Sequence, residues 1–112
     1  MNKEQRKLAV LDAIRDDAYE LAELWSLERG DGIPEQSARE ATRENLLELA
    51  DLGLVKFTRE LAPGRWQDLT RAESERLRDD LRAWGLGAEP GRDLFVTLTP
   101  SGEEAAARRQ LP

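Results

Sequence analysis

The sequence predicts a mainly helical α+β domain with one small antiparallel pair of strands set among its helices. Three observations carry that expectation. The stretch Ser37–Phe57, SAREATRENLLELADLGLVKF, changes from a helical apolar pattern to β-type residues across a single glycine. Leu94, Val96 and Leu98 alternate as one face of a strand. Charged residues make up 36% of the 112 residues and hydrophobic ones 39%, with few aromatics, which suits one small helix-rich domain over 1–112 with a modest core.

The elements follow in order. Leu8, Leu11 and Ile14 lie on one face of a first helix, from Lys3 to about Arg15. The stripe then continues through Ala18, Leu21 and Trp25, which leaves two readings. One is a single helix over 3–29. The other, favoured here, is a break near Asp17, with Asp17 and Glu20 as the capping box of a second helix. Gly30-Asp31-Gly32-Ile33-Pro34 is a turn, and Ile33 is a candidate for a minimal strand. The next helix spans about 35–50. Its first half is polar and its second half apolar (Leu46, Leu47, Leu49, Ala50), which fits a helix whose first half projects and fits equally a surface helix that starts outside the core. Gly53 sits at C′ with Leu54 beyond it, the pattern of a Schellman stop.

Leu54–Arg59 reads as a strand and Arg92–Leu98 as its partner. The excursion between them, about 60–91, is too long for a hairpin loop. It contains a Pro63-Gly64 turn and a capping box at Thr70 and Glu73. That box opens a helix to about Trp84, with Leu77, Leu81 and Trp84 on one face. Thr99 and Pro100 read as cap and first residue of a last short helix, with Glu103 and Glu104 in its first turn and Arg108 and Arg109 at its end.

Two of these stretches resemble the winged helix-turn-helix domain of bacterial transcriptional regulators, MarR/PadR-like in the broad sense. LLELADLGLVKF looks like the join of recognition helix and first wing strand. LFVTLTPSGEEAAA looks like the second wing strand entering the next helix, with an LTxxG pattern at Leu98–Gly102. The resemblance implies a winged helix with a helix inserted between its wing strands. It also implies a DNA-binding regulator whose recognition helix, about 35–50, enters a major groove. Gln36, Ser37, Arg39, Glu40 and Arg43 would then be the readers, and Arg59 and Arg65 would touch backbone. A homodimer is the expected state.

Charge bears on that expectation, because affinity for a polyanion comes mostly from Lys and Arg near phosphate. Seventeen basic residues stand against 23 acidic ones, a net charge of −6. No segment is a basic patch, and residues 33–51 carry only Arg39 and Arg43 against five carboxylates. The competing expectation is a winged-helix protein-interaction module that uses its acidic surface or its insertion. Trp66, in what reads as a polar loop, GRWQDL, is the candidate anchor for a partner or a second copy, since aromatics are favoured in such contacts. Trp25 and Trp84, on apolar stripes, are expected in the core.

Other chemistries are poorly served. No cysteine or histidine is present, which excludes thiol catalysis and removes the commonest general base and transition-metal ligand. Asp12, Asp16, Asp17 and Glu20 cluster but lack the loop of a calcium site, so no metal is expected. Ser26, Ser37, Ser74 and Ser101 have no histidine to activate them, and Gly85-x-Gly87 follows a helix where a phosphate loop would follow a strand. The chain is therefore not expected to be an enzyme or to bind a cofactor. The charged N-terminus, MNKEQRK, and the want of an apolar run of about 20 residues point to a cytoplasmic protein with no membrane association.

Overall fold

The computed structural model describes residues 2–15, 19–21, 24, 32–84 and 94–112. The elements are α1 (Lys3–Ala13), β1 (Tyr19–Glu20), α2 (Glu35–Asp51), β2 (Val55–Ala62), β3 (Arg65–Asp68), α3 (Arg71–Arg76), β4 (Leu94–Leu98) and α4 (Pro100–Arg108). Two 3₁₀ turns, Leu77–Asp79 and Leu81–Trp84, follow α3. The strands form one antiparallel sheet in the order β1-β4-β2-β3. This is the α+β class that the sequence predicts.

Local chemistry sets most of these boundaries. The Asn2 side chain accepts from the Gln5 N–H, and the Gln5 side chain accepts from the Asn2 N–H, so α1 opens on a capping box. At the end of α2, Gly53 is at φ 75°. Its N–H donates to the Ala50 carbonyl at 2.9 Å, and the Leu54 N–H donates to the Leu49 carbonyl at 3.0 Å. Those are the two bonds of a Schellman motif, as the glycine predicts. The chain leaves this motif straight into β2, which pairs with β4 from Val55↔Leu98 to Arg59↔Leu94. The predicted boxes at Thr70–Glu73 and the cap at Thr99 are both formed.

One face of the sheet makes the core. Val55, Phe57, Leu94, Val96 and Leu98 are buried with Val10, Leu11 and Ile14 of α1, Leu46 and Leu49 of α2, and Ala105 and Ala106 of α4. Burying a Leu or Ile side chain contributes roughly 1.5–3 kcal/mol, so this cluster dominates the stability. The insertion adds to it. Leu77 and Trp84 are buried, the Trp84 ring meets Phe57 edge to face at 6.0 Å, and its Nε1–H donates to the Leu77 carbonyl at 2.8 Å.

Several expectations are corrected. Tyr19–Glu20 is a strand, Tyr19 opposite Val96, so neither a helix over 3–29 nor a helix capped by Asp17 with Glu20 at its third position is present. The β4 edge needs a partner for its backbone groups, and two residues supply it. The minimal strand is therefore at Tyr19 and not at Ile33, which lies outside regular structure. Asp16, Asp17, Ala18, Trp25, Gly30, Asp31, Gly85, Gly87, Pro90 and Gly91 lie outside the described residues. The expected helix from Thr70 to Trp84 is one α-helical segment and two 3₁₀ turns, the tighter turns bringing Leu77 and Trp84 together. Residues 65–68, expected as loop, are a strand. The Pro63-Gly64 turn, with Gly64 at φ 80°, folds them back on β2.

Candidate nucleic-acid interface

Helix α2 presents the residues expected to read DNA. Its buried side is Ala38, Thr42, Asn45, Leu46 and Leu49. The polar first half thus packs through small or uncharged residues, Thr42 satisfying its hydroxyl on the Ala38 carbonyl at 2.9 Å. It does not project. Glu35, Gln36, Ser37, Glu40 and Glu44 are exposed. From Glu35 to Glu44 the outward face of α2 is therefore two uncharged polar residues among three carboxylates.

The arginines are held within the chain. Arg39 donates from Nε and Nη2 to Glu35 Oε1 at 3.2 and 2.7 Å, one helical turn back. Arg43 turns the other way, its Nη2 donating to the Arg78 carbonyl in the insertion. Its Nε is buried without an acceptor among the described residues. Arg59, on β2, donates from Nη1 to Glu73 Oε2 at 3.0 Å. Arg65 is exposed on β3. The fold thus separates Arg39 from Arg43 by partner and brings Arg43 and Arg59 under one segment, residues 70–79.

That segment was legible in the sequence as a capped helix, but not in the partners of its charges. Glu73 does two things there. Its Oε1 accepts from the Thr70 N–H, and its Oε2 accepts from Arg59. The Thr70 backbone bond first, then Arg59, holds the Glu73 carboxyl below its ordinary range. Arg78 reaches back to α2, donating from Nη2 to both oxygens of Asp51 at 2.7 and 2.9 Å. Asp51, Glu73 and Arg78 belong to the site through these long-range contacts, which no local pattern announces.

The opposite flank of α2 is fixed by α1. Lys3 and Lys7 both pair with Glu48, and Lys3 also lies 3.7 Å from Glu44. Hydrogen bonds from Lys7 and then Lys3 lower the Glu48 pKa, and the Glu48 bond raises that of Lys3.

Trp66 is 45% exposed on β3, at the edge of the sheet. Its ring meets Phe95 of β4 edge to face at 4.8 Å. It therefore lies across the sheet and not over α3. Leu61, near the same hairpin turn, is also exposed. No group of three acidic residues able to hold a metal is found among the described residues, where Asp12 and Glu20 belong and Asp16 and Asp17 do not. Among the described residues no helix is long and apolar enough to cross a membrane. Comparison of the chain with family models, with curated proteins and with solved structures finds no match.

Proposed function

We propose that the chain is a winged-helix DNA-binding regulator whose recognition helix is α2. The observation that carries this reading is the connection of elements. A helix closed by a Schellman glycine runs into β2, β2 pairs with β4, and a two-residue β1 completes the other side of β4. That order suits a winged helix, with β2 and β4 as wing strands and residues 63–93 inserted between them. Gln36 and Ser37 are the exposed polar residues at the start of α2. Arg39 pairs with a Glu35 side chain that is 55% exposed. The Arg39 side chain itself is 17% exposed, so a phosphate reaches its guanidinium by displacing the exposed Glu35 carboxylate. Arg65 extends the reach to the hairpin.

The test is fluorescence anisotropy of a generic duplex, titrated from about 50 mM salt upward. Binding that weakens with salt is the expected result, and no binding at the lowest salt overturns the reading. Arg39→Ala and Arg65→Ala should each flatten the salt slope by about 0.9 if each neutralises one phosphate. Arg43 is a poorer probe, since its guanidinium is anchored inside the chain.

A second reading, a protein-interaction module, is favoured by the exposed pair Leu61 and Trp66 and by the carboxylates on α2. It expects no duplex binding, and a Trp66→Ala chain that sizes smaller than wild type if Trp66 joins two copies.

A further inference from the structure

We propose that the free edge of β3 takes an extended segment of another protein as an added strand, one that carries arginine or lysine at alternate positions. The inference rests on the protein-interaction reading and names its partner; it neither needs nor excludes DNA on α2.

The backbone is the first observation. β3 pairs with β2 on one side only, and all four of its residues are exposed. The Leu69 N–H donates to the Phe57 carbonyl at 3.0 Å, in step with the pairs Thr58↔Asp68 and Arg59↔Gln67. Alternation then turns the N–H and C=O of Trp66 and Asp68 to the free side, where they meet no backbone partner among the described residues. Natural edges are blunted by charge, proline or cover. This one presents Trp66 in its middle, 45% exposed.

Side-chain chemistry is the second. Phe57, Val96 and the core helices lie on one face of the sheet, so Thr58, Glu60, Trp66, Asp68 and Phe95 lie on the other. There the Trp66 and Phe95 rings meet over β2. Glu60, directly opposite Trp66, makes no ion pair among the described residues. Asp68 pairs with Lys56 at 3.3 Å, both side chains exposed. A residue of an added strand that opposes Trp66 points to this same face. A cation there lies over the indole and beside Glu60, and the next alternate one reaches Asp68. A carboxylate there would face two others, so charge selects a basic partner. A second copy complements this edge poorly. Opposed residues of a two-fold antiparallel pair share a face, so Arg65 would oppose Gln67 or Leu69, and Asp68 would oppose Gly64 or Trp66. No opposite charges meet.

The test is anisotropy of a labelled peptide alternating threonine and arginine over about nine residues, within the usual length of a strand, titrated with the intact chain. Saturable binding is expected, weakened at least about fivefold by Trp66→Ala and about threefold by Glu60→Gln. Glu60→Gln leaves the indole in place, so its effect is not one of lost packing. A peptide of the same composition with its threonines and arginines in two blocks should bind at least about tenfold more weakly, because only alternate spacing matches one face of a strand. Amide exchange at Trp66 and Asp68 should slow in the complex, while residues 94–98 stay unchanged. No saturable binding overturns the proposal. Equal binding of the blocked peptide, or unchanged exchange at Trp66 and Asp68, also overturns it, since either is charge attraction without strand addition. Affinity unmoved by both substitutions puts the peptide elsewhere and overturns it too. A wild-type chain that sizes as a dimer, and as a monomer with Trp66→Ala, gives the edge to a second copy: the interaction reading then stands and the proposal falls.

Discussion

Replacing Gly102 by alanine should unseat α4. An ideal Cβ at this position lies 1.8 Å from the Leu54 carbonyl oxygen and 2.9 Å from its carbon. Real Cβ contacts do not fall under 3.0 Å, so the helix or the Leu54 peptide must retreat by at least 1.2 Å, the difference between 3.0 and 1.8 Å. Neither moves cheaply. Leu54 is the C″ residue of the motif that ends α2, and the Thr99 N–H donates to that same carbonyl at 3.1 Å. Thr99 Oγ1 donates to the Gly53 carbonyl at 2.6 Å. A retreat of that size breaks both bonds, at about 1 kcal/mol each. Crowding in a packed region adds about 1–3 kcal/mol, and alanine returns about 1 kcal/mol of helix propensity. The net cost is about 2–4 kcal/mol, a large share of the 5–15 kcal/mol typical of a domain. At about 4 °C per kcal/mol, Tm should fall by roughly 8–16 °C in a circular-dichroism melt. Gly53→Ala is the comparison. It meets nothing within 4 Å and faces only the left-handed backbone at φ 75°, worth about 1–2 kcal/mol. A Gly102→Ala chain that melts at or above wild type would refute the close approach and the reason given for glycine in the Leu98–Gly102 pattern.

Three further outcomes are expected. Thr58 is buried with its hydroxyl unpartnered among the described residues, so Thr58→Val should raise stability by about 1 kcal/mol, read as a higher denaturant midpoint with unchanged slope. Thr99→Val removes the cap on the Gly102 N–H and the bond to Gly53 and should cost about 1–2 kcal/mol, with Ser at that position restoring most of it. Glu48 has its folded pKa lowered by Lys7 and Lys3. Its contribution is therefore present above the ordinary value of 4.5 and lost as pH falls through the lower folded value. Glu48→Gln should flatten the loss of stability with acid below about pH 4.5, and an unchanged acid profile would show that the two lysines do not hold α1 to α2.

What the sequence determined by itself is what neighbouring residues determine. The Gly53 stop, the Thr70–Glu73 box, the Thr99–Pro100 start and the alternation of Leu94, Val96 and Leu98 are all local, and all formed as read. These features act within one turn or one strand, where propensity and capping dominate. So the end of α2, the starts of α3 and α4, the pairing of β2 with β4 and the α+β class were legible. The tertiary structure decided the rest. Tyr19–Glu20 became a strand because β4 had an open edge, against a helical apolar stripe that continued through Leu21. Residues 65–68 became a strand because a tight turn laid them on β2, although RWQD alternates poorly. Helix α3 could be placed from its cap, but not the partners of its charges. Arg59 meets Glu73 and Arg78 meets Asp51 across 14 and 27 residues, separations at which charge order along the chain carries no information. The candidate site is made of such pairs. Which arginines face outward was therefore settled by how the insertion folds back on α2, and not by the helix that carries them.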